Sequence, residues 1–107
     1  MNKMIRSCTM LTAVMLVACG LSFAQSSGET VYKTKCQSCH GAQGTPNPGI
    51  AKAMGVKPAG DPSVKSLSEA QMITEATNGK GKMPAFKGKL TDAQIKDAVT
   101  YFRSLAK

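Results

Sequence analysis

The stretch KCQSCHGAQG, residues 35–44, sets two thiols and an imidazole side by side as Cys36, Cys39 and His40 and follows them at once with Gly41. A disulfide between Cys36 and Cys39 would be indifferent to the adjoining histidine, and so small a loop would add little stability. A zinc site needs four ligands. What requires this pattern depends on the compartment the protein occupies and on what lies downstream.

The first 24 residues have the form of an export signal. Lys3 and Arg6 make a positive start, and Cys8 to Ala18 form an uncharged apolar run too short to span a bilayer. Gly20 breaks that run, and Ser22-Phe23-Ala24 supplies small residues for cleavage before Gln25. Leu16-Val17-Ala18-Cys19 also matches a lipoprotein processing box, in which Cys19 would carry a lipid anchor. The apolar Leu21 and Phe23 would then sit where such anchors usually have a polar tether. The expectation is a signal peptide over 1–24 and one domain over 25–107, periplasmic, with a membrane-anchored lipoprotein through Cys19 as the alternative. No transmembrane helix is expected in the mature protein.

Residues 25–107 suffice for a single small domain with a modest core. The aromatic residues in it are Tyr32, Phe86, Tyr101 and Phe102, with no tryptophan. Side-chain burial alone is marginal at that size, so a staple is expected. Only Cys36 and Cys39 remain in the mature part, and a bound cofactor would serve better than their disulfide. The net charge of the whole sequence is +8. Lys52, Lys57, Lys80, Lys82, Lys87 and Lys89 flank the central motifs, and no acid interrupts the run from Lys80 to Lys89. A positive face of this kind steers encounter with acidic partners. Nucleic acid is not the expected partner, because no recognised binding module is present and no aromatics interleave with the basic residues.

The patterning is helical throughout. Ser26-Ser27-Gly28-Glu29 forms a capping box that opens a first helix at Ser26 and leads into the cysteine motif. Leu67-Ser68-Glu69-Ala70-Gln71-Met72 and Leu90-Thr91-Asp92-Ala93-Gln94-Ile95 repeat one code: a hydroxyl N-cap, an acid at the first position, glutamine at the third and an apolar staple. The former helix should end at Asn78-Gly79, with Gly79 as a left-handed cap. The latter carries Ile95, Ala98, Val99, Phe102 and Leu105 along one stripe. Residues 41–62 are rich in Gly, Pro and Asn and read mostly as loop, with a helical turn or two over Ile50–Met54. No strand alternation is present, so the fold class is all-α.

In an exported protein the pattern C-x-x-C-H marks covalent attachment of haem c. Two thiols on one helical turn can each add to a porphyrin vinyl group, and the next residue projects its imidazole toward the iron. Cys36 and Cys39 are the expected thioether residues and His40 the proximal ligand. A thioredoxin-like redox pair would want a strand before the motif, where this sequence offers helix and loop. Three methionines compete for the sixth iron position. Met72 and Met54 fall at helical positions, where a flexible core filler is the simpler account. Met83 stands in Gly79-Lys80-Gly81-Lys82-Met83-Pro84-Ala85-Phe86, and Pro84 pushes it toward extended backbone. With no helical core position to fill, Met83 is the expected second axial ligand.

Gly28-x-x-x-Tyr32, Cys36-x-x-Cys39-His40-Gly41, Gly81-Lys82-Met83-Pro84 and Tyr101-Phe102-Arg103-Ser104-Leu105 together resemble a small bacterial class I cytochrome c. The resemblance covers essentially the whole of residues 25–107. It implies three main helices wrapped around one covalently attached haem, with the first and last crossing near Gly28 and Tyr101. It also implies a proline carbonyl on the Nδ1–H of His40, for which Pro48 is the candidate and Pro46 the competitor. A His/Met site is closed to small molecules and changes valence with little rearrangement. The expected role is therefore a monomeric periplasmic one-electron carrier, passing electrons between respiratory complexes or dehydrogenases and a terminal acceptor, rather than an enzyme. A dedicated cytochrome subunit of a dehydrogenase, and a gas-binding or peroxidatic haem protein, are the alternatives.

Overall fold

The computed structural model describes residues 18–107, with side chains from Ser27 onward. Residues 1–17, which hold most of the expected leader, lie outside the described residues. Six helices follow in order: α1 Ala18–Lys35, α2 Gln37–His40, α3 Pro48–Met54, α4 Pro62–Lys65, α5 Glu69–Asn78 and α6 Asp92–Ser104. Among the described residues no strand forms. Two isolated bridges, Lys80 with Met83 and Lys87 with Leu90, are the only extended pairings there.

Both capping boxes expected for α5 and α6 are complete. Ser68 Oγ accepts from the Gln71 N–H at 3.1 Å while Gln71 Oε1 accepts from the Ser68 N–H at 2.8 Å. Thr91 and Gln94 repeat the exchange at 3.1 and 2.9 Å. Each box satisfies backbone donors that a helix start otherwise leaves unpaired, which is worth about 1 kcal/mol for the hydroxyl cap. The first helix differs from expectation, since α1 begins at Ala18 rather than at Ser26. A capping box acts only where the backbone upstream leaves helical geometry, and here residues 18–26 continue the same helix. Residues 41–62 are also more ordered than the sequence suggests. Asn47 and Asp61 cap α3 and α4 by accepting from the Gly49 and Ser63 N–H groups at 2.8 and 2.9 Å, and each helix has proline at its first position.

The core lies between α1, α5 and α6, with α6 packed on both of the others. Met72 and Ala76 of α5 meet Ile95 and Val99 of α6, and Leu67, Ile73, Met83, Phe86, Leu90 and Phe102 pack around them half-buried. Tyr32 and Ile95 are the largest fully buried side chains, at 1% and 2% exposure. Each contributes roughly 1.5–3 kcal/mol of burial for an apolar body of that size. Met72 is thus a core residue, as its helical position suggested.

The crossing of α1 and α6 falls at Gly28, where a Cβ would stand 2.4 Å from the Asp97 carbonyl oxygen. Ser27 Oγ donates to Asp97 Oδ2 at 3.0 Å beside it, and the Tyr32 and Tyr101 rings meet one turn further along, with centroids 5.2 Å apart. Gly28→Ala is therefore expected to destabilise despite its better helix propensity. A backbone carbonyl cannot rotate out of the way, so the cost belongs at the upper end of overpacking, about 3 kcal/mol. The propensity gain recovers about 1 kcal/mol. The check is a denaturant titration of the holoprotein, with a net loss of about 2 kcal/mol as the expected result.

Candidate functional site

The cysteine motif continues α1 through a single irregular residue. The Cys36 N–H donates to the Tyr32 carbonyl at 2.9 Å, and the His40 and Gly41 N–H groups donate to Cys36 and Gln37 at 2.9 and 2.8 Å. One turn of helix thus presents Cys36, Cys39 and His40 together. The two cysteines form no disulfide with each other, and both are half-buried. Burial, reinforced by the neighbouring Cys39, pushes the Cys36 thiol up to about 11.

His40 is half-buried with its ring edge-on to Phe102, centroids 5.0 Å apart. Burial pulls its pKa below the ordinary histidine value, so the neutral imidazole prevails at neutral pH. Its Nδ1 is buried without a hydrogen-bond partner. A buried polar atom with no partner costs free energy unless something else meets it. Pro48, the candidate for a carbonyl bond to Nδ1, is the first residue of α3. Pro46 is the proline that the backbone folds back toward the motif, buried beside Gly41, yet it too leaves Nδ1 unpaired.

Met83 lies outside any helix, as Pro84 and the glycines implied. Lys80 and Met83 exchange two backbone hydrogen bonds, at 3.2 and 3.0 Å, across a tight turn through Gly81. Gly79 leads into that turn at φ 78° and ψ 160°, a positive φ as expected of a cap but with extended rather than left-handed ψ. A Cβ there would lie 2.9 Å from the Met83 oxygen and 3.0 Å from the Ala85 nitrogen. Beyond the turn, the Phe86 and Lys87 N–H groups return to the Ala76 and Thr77 carbonyls at 3.0 and 3.1 Å, which fastens the loop to the end of α5. Lys82 Nζ donates to the Ala53 carbonyl at 2.5 Å and ties the same loop to α3.

Phe102 links the two segments: its ring meets that of His40, and it packs, as Met83 does, on the core cluster. The donor set suits a covalent haem, with paired thiols on one turn, a neutral buried imidazole whose ring is incompletely bonded, and a thioether on a fixed loop. Met54 ends α3, half-buried. Two contributors escaped the sequence reading, Phe102 as the neighbour of His40 and Tyr32 through its hydroxyl. The apolar stripe marked Phe102 only as core, and Tyr32 lies one helical turn before Cys36. The lysine run is also less uniform than it reads, because Glu75 pairs with Lys80 at 2.9 Å.

A family model described as cytochrome c oxidase, cbb3-type, subunit III matches residues 23–102. Cytochrome c6 of Rippkaea orientalis is 39% identical over 90 residues, spanning 83% of this protein and 78% of its own length. Cytochrome c6 of Leptolyngbya boryana is 40% identical over 76 residues, spanning 71% of this protein and 86% of its own length. The CcoP subunit of a cbb3-type cytochrome c oxidase from an Azospirillum species is 37% identical over 89 residues, but the matched part is only 28% of that subunit. Among solved structures, the KustC0563 c-type cytochrome superposes with a TM-score of 0.67 at 28% identity, over 75% of this protein and 98% of its own length.

Gly79→Ala is expected to loosen the Met83 loop while leaving α6 intact. The backbone region at residue 79 is nearly exclusive to glycine and costs other residues about 1–3 kcal/mol. Amide exchange at Lys80, Met83, Phe86 and Lys87 should accelerate about tenfold relative to α6, as measured by residue-resolved hydrogen exchange on the holoprotein.

Proposed function

The protein belongs to the cytochrome c family, as a small class I member with the all-α fold and one covalently bound haem c with its iron, and from that premise we propose that it is a periplasmic one-electron carrier. Bound haem c supplies reversible one-electron chemistry. Cys36 and Cys39 would hold it through thioether bonds, and His40 and Met83 would supply its iron with a nitrogen and a sulfur ligand. Met83 carries this reading: its backbone is held on a non-helical turn whose loop is bonded to α5 and α3, and its side chain packs half-buried against the core. With both of these ligands bound the iron would offer no position for substrate, and a thioether ligand would favour its reduced state. Such a site moves electrons and makes no product.

Residues 1–24 are the export signal in this reading, and the mature protein begins at Gln25. Among the described residues no helix is long and apolar enough to cross a membrane. Retention of a lipid at Cys19 would restrict its partners to those at the same membrane. The donors and acceptors are respiratory complexes or dehydrogenases with acidic docking surfaces. A second reading is favoured by the CcoP relatives, whose names describe an oxidase subunit: the same haem module could serve permanently within one complex. Copurification of a stable partner from membranes selects that reading over the free carrier. Carbon monoxide binding by the reduced native protein would instead select a gas-binding haem protein.

Intact mass and a visible spectrum of the exported protein should give one added haem, an N-terminus at Gln25 and the weak far-red band of ferric methionine ligation. Met83→Ala should keep the haem, lose that band, bind carbon monoxide when reduced and fall in potential. Met72→Leu should do none of these, since volume-conserving core swaps usually cost less than about 1.5 kcal/mol. If the Met72 variant loses the band and the Met83 variant keeps it, Met83 is not the ligand.

Electron transfer with an acidic partner should slow as salt is added, because the Debye length shrinks from about 10 Å at 0.1 M to about 3 Å at 1 M. Lys82, Lys87 and Lys89 are exposed, whereas Lys80 shares its charge with Glu75. Lys80→Ala should therefore slow stopped-flow association less than Lys87→Ala or Lys89→Ala. Rates indifferent to ionic strength would remove the steering role.

A further inference from the structure

Tyr32 is 1% exposed, so its hydroxyl must find a partner inside the protein. It donates to the Gly41 carbonyl at 2.6 Å, immediately after His40 in sequence. The same Gly41 carbonyl accepts from the Gly44 N–H at 3.2 Å, and the Gly44 carbonyl accepts from the Ala59 N–H at 2.8 Å. Tyr32 also accepts from the Cys36 N–H through its own carbonyl. One residue of α1 therefore grips the cysteine motif at both ends, by its backbone before Cys36 and by its side chain after His40. Its ring lies against Tyr101 and Phe102, at centroid separations of 5.2 and 6.1 Å, and Phe102 abuts the His40 ring. His40 lacks a hydrogen bond of its own at Nδ1, so its orientation depends on the backbone that carries it and on Phe102.

We propose that Tyr32 is the positioning residue for His40: its hydroxyl, through the Gly41 carbonyl, fixes the peptide that follows His40 and so sets how the imidazole is presented. An aromatic ring alone would serve the α1 and α6 packing, and a phenylalanine would supply it. The hydroxyl does something the packing does not require. It shares the Gly41 carbonyl with the Gly44 N–H, and so reaches a backbone chain that continues through the Gly44 carbonyl to Ala59 beneath Leu105, since a Cβ on Gly44 would lie 3.0 Å from both the Ala59 and Leu105 Cβ atoms.

This inference rests on His40 being an axial ligand, and the experiment separates the two. In the ferric holoprotein a ligated histidine gives hyperfine-shifted proton resonances. Their absence from the wild-type protein overturns the ligand assignment and the inference with it, before any variant is made. Given those resonances, Tyr32→Phe should move them and should speed amide exchange at Gly44 and Ala59 on the order of fivefold, the loss of one typical hydrogen bond. Amides of α6 should not change. Tyr101→Phe removes a hydroxyl from the same aromatic cluster and should alter neither readout. Unmoved His40 resonances in Tyr32→Phe, or equal acceleration of all slow amides, would mean that the hydroxyl serves general stability alone and would overturn the proposal.

Discussion

Where α1 passes α6, the Asp97 carbonyl occupies the space that a Cβ on residue 28 would need. That approach brings the Tyr32 ring onto Tyr101 and Phe102, and it is the reason a protein with few aromatics can bury one of them almost completely. The cysteine motif hangs from the end of α1, so its position relative to α6 is set about two helical turns before Cys36 is reached. Phe102 then meets His40 because α6 is already fixed. The placement of His40 is in this sense a consequence of a helix crossing.

The methionine side is built by different means. Gly79 and Gly81 permit a turn that ordinary residues resist, and backbone bonds to Ala76 and Thr77 return the loop to α5. Lys82 adds a third attachment, to α3. The loop therefore owes its shape to backbone hydrogen bonding and positive φ, while the motif opposite owes its shape to helix geometry. Phe102 relates the two halves, since it meets His40 and packs, like Met83, on the core of Met72, Ala76, Ile95 and Val99. A cofactor bonded to both halves would supply the staple that a core of this size calls for.

Local codes account for most of what the sequence by itself determined. The two hydroxyl-to-glutamine boxes specify the starts of α5 and α6, since each needs only residues three apart. The spacing of Cys36, Cys39 and His40 is likewise local, the pattern that led to the expectation of haem c. Asn47-Pro48 and Asp61-Pro62 held equally local cap signals for α3 and α4, obscured by the Gly and Pro content around them. Ser26 shows the limit of such codes, because a cap is a boundary and the residues upstream decide whether one exists.

Only the tertiary structure decided which distant groups answer one another. Glu75 meets Lys80 because the backbone reverses at Gly79, so one of the lysines in an uninterrupted basic run is already paired. Pro46 lies buried beside Gly41, and Pro48 opens the α3 that packs near the motif, placements that neither proline's sequence position specifies. Phe102 reads in sequence as one more member of an apolar stripe, and Tyr32 as a helix residue, until α6 crosses α1 and the fold-back at Gly41 turns a carbonyl toward the Tyr32 hydroxyl. Sequence spacing fixes contacts made within a turn of helix. Contacts made across a crossing or a reversal of the backbone depend on where distant segments approach, which no single segment specifies.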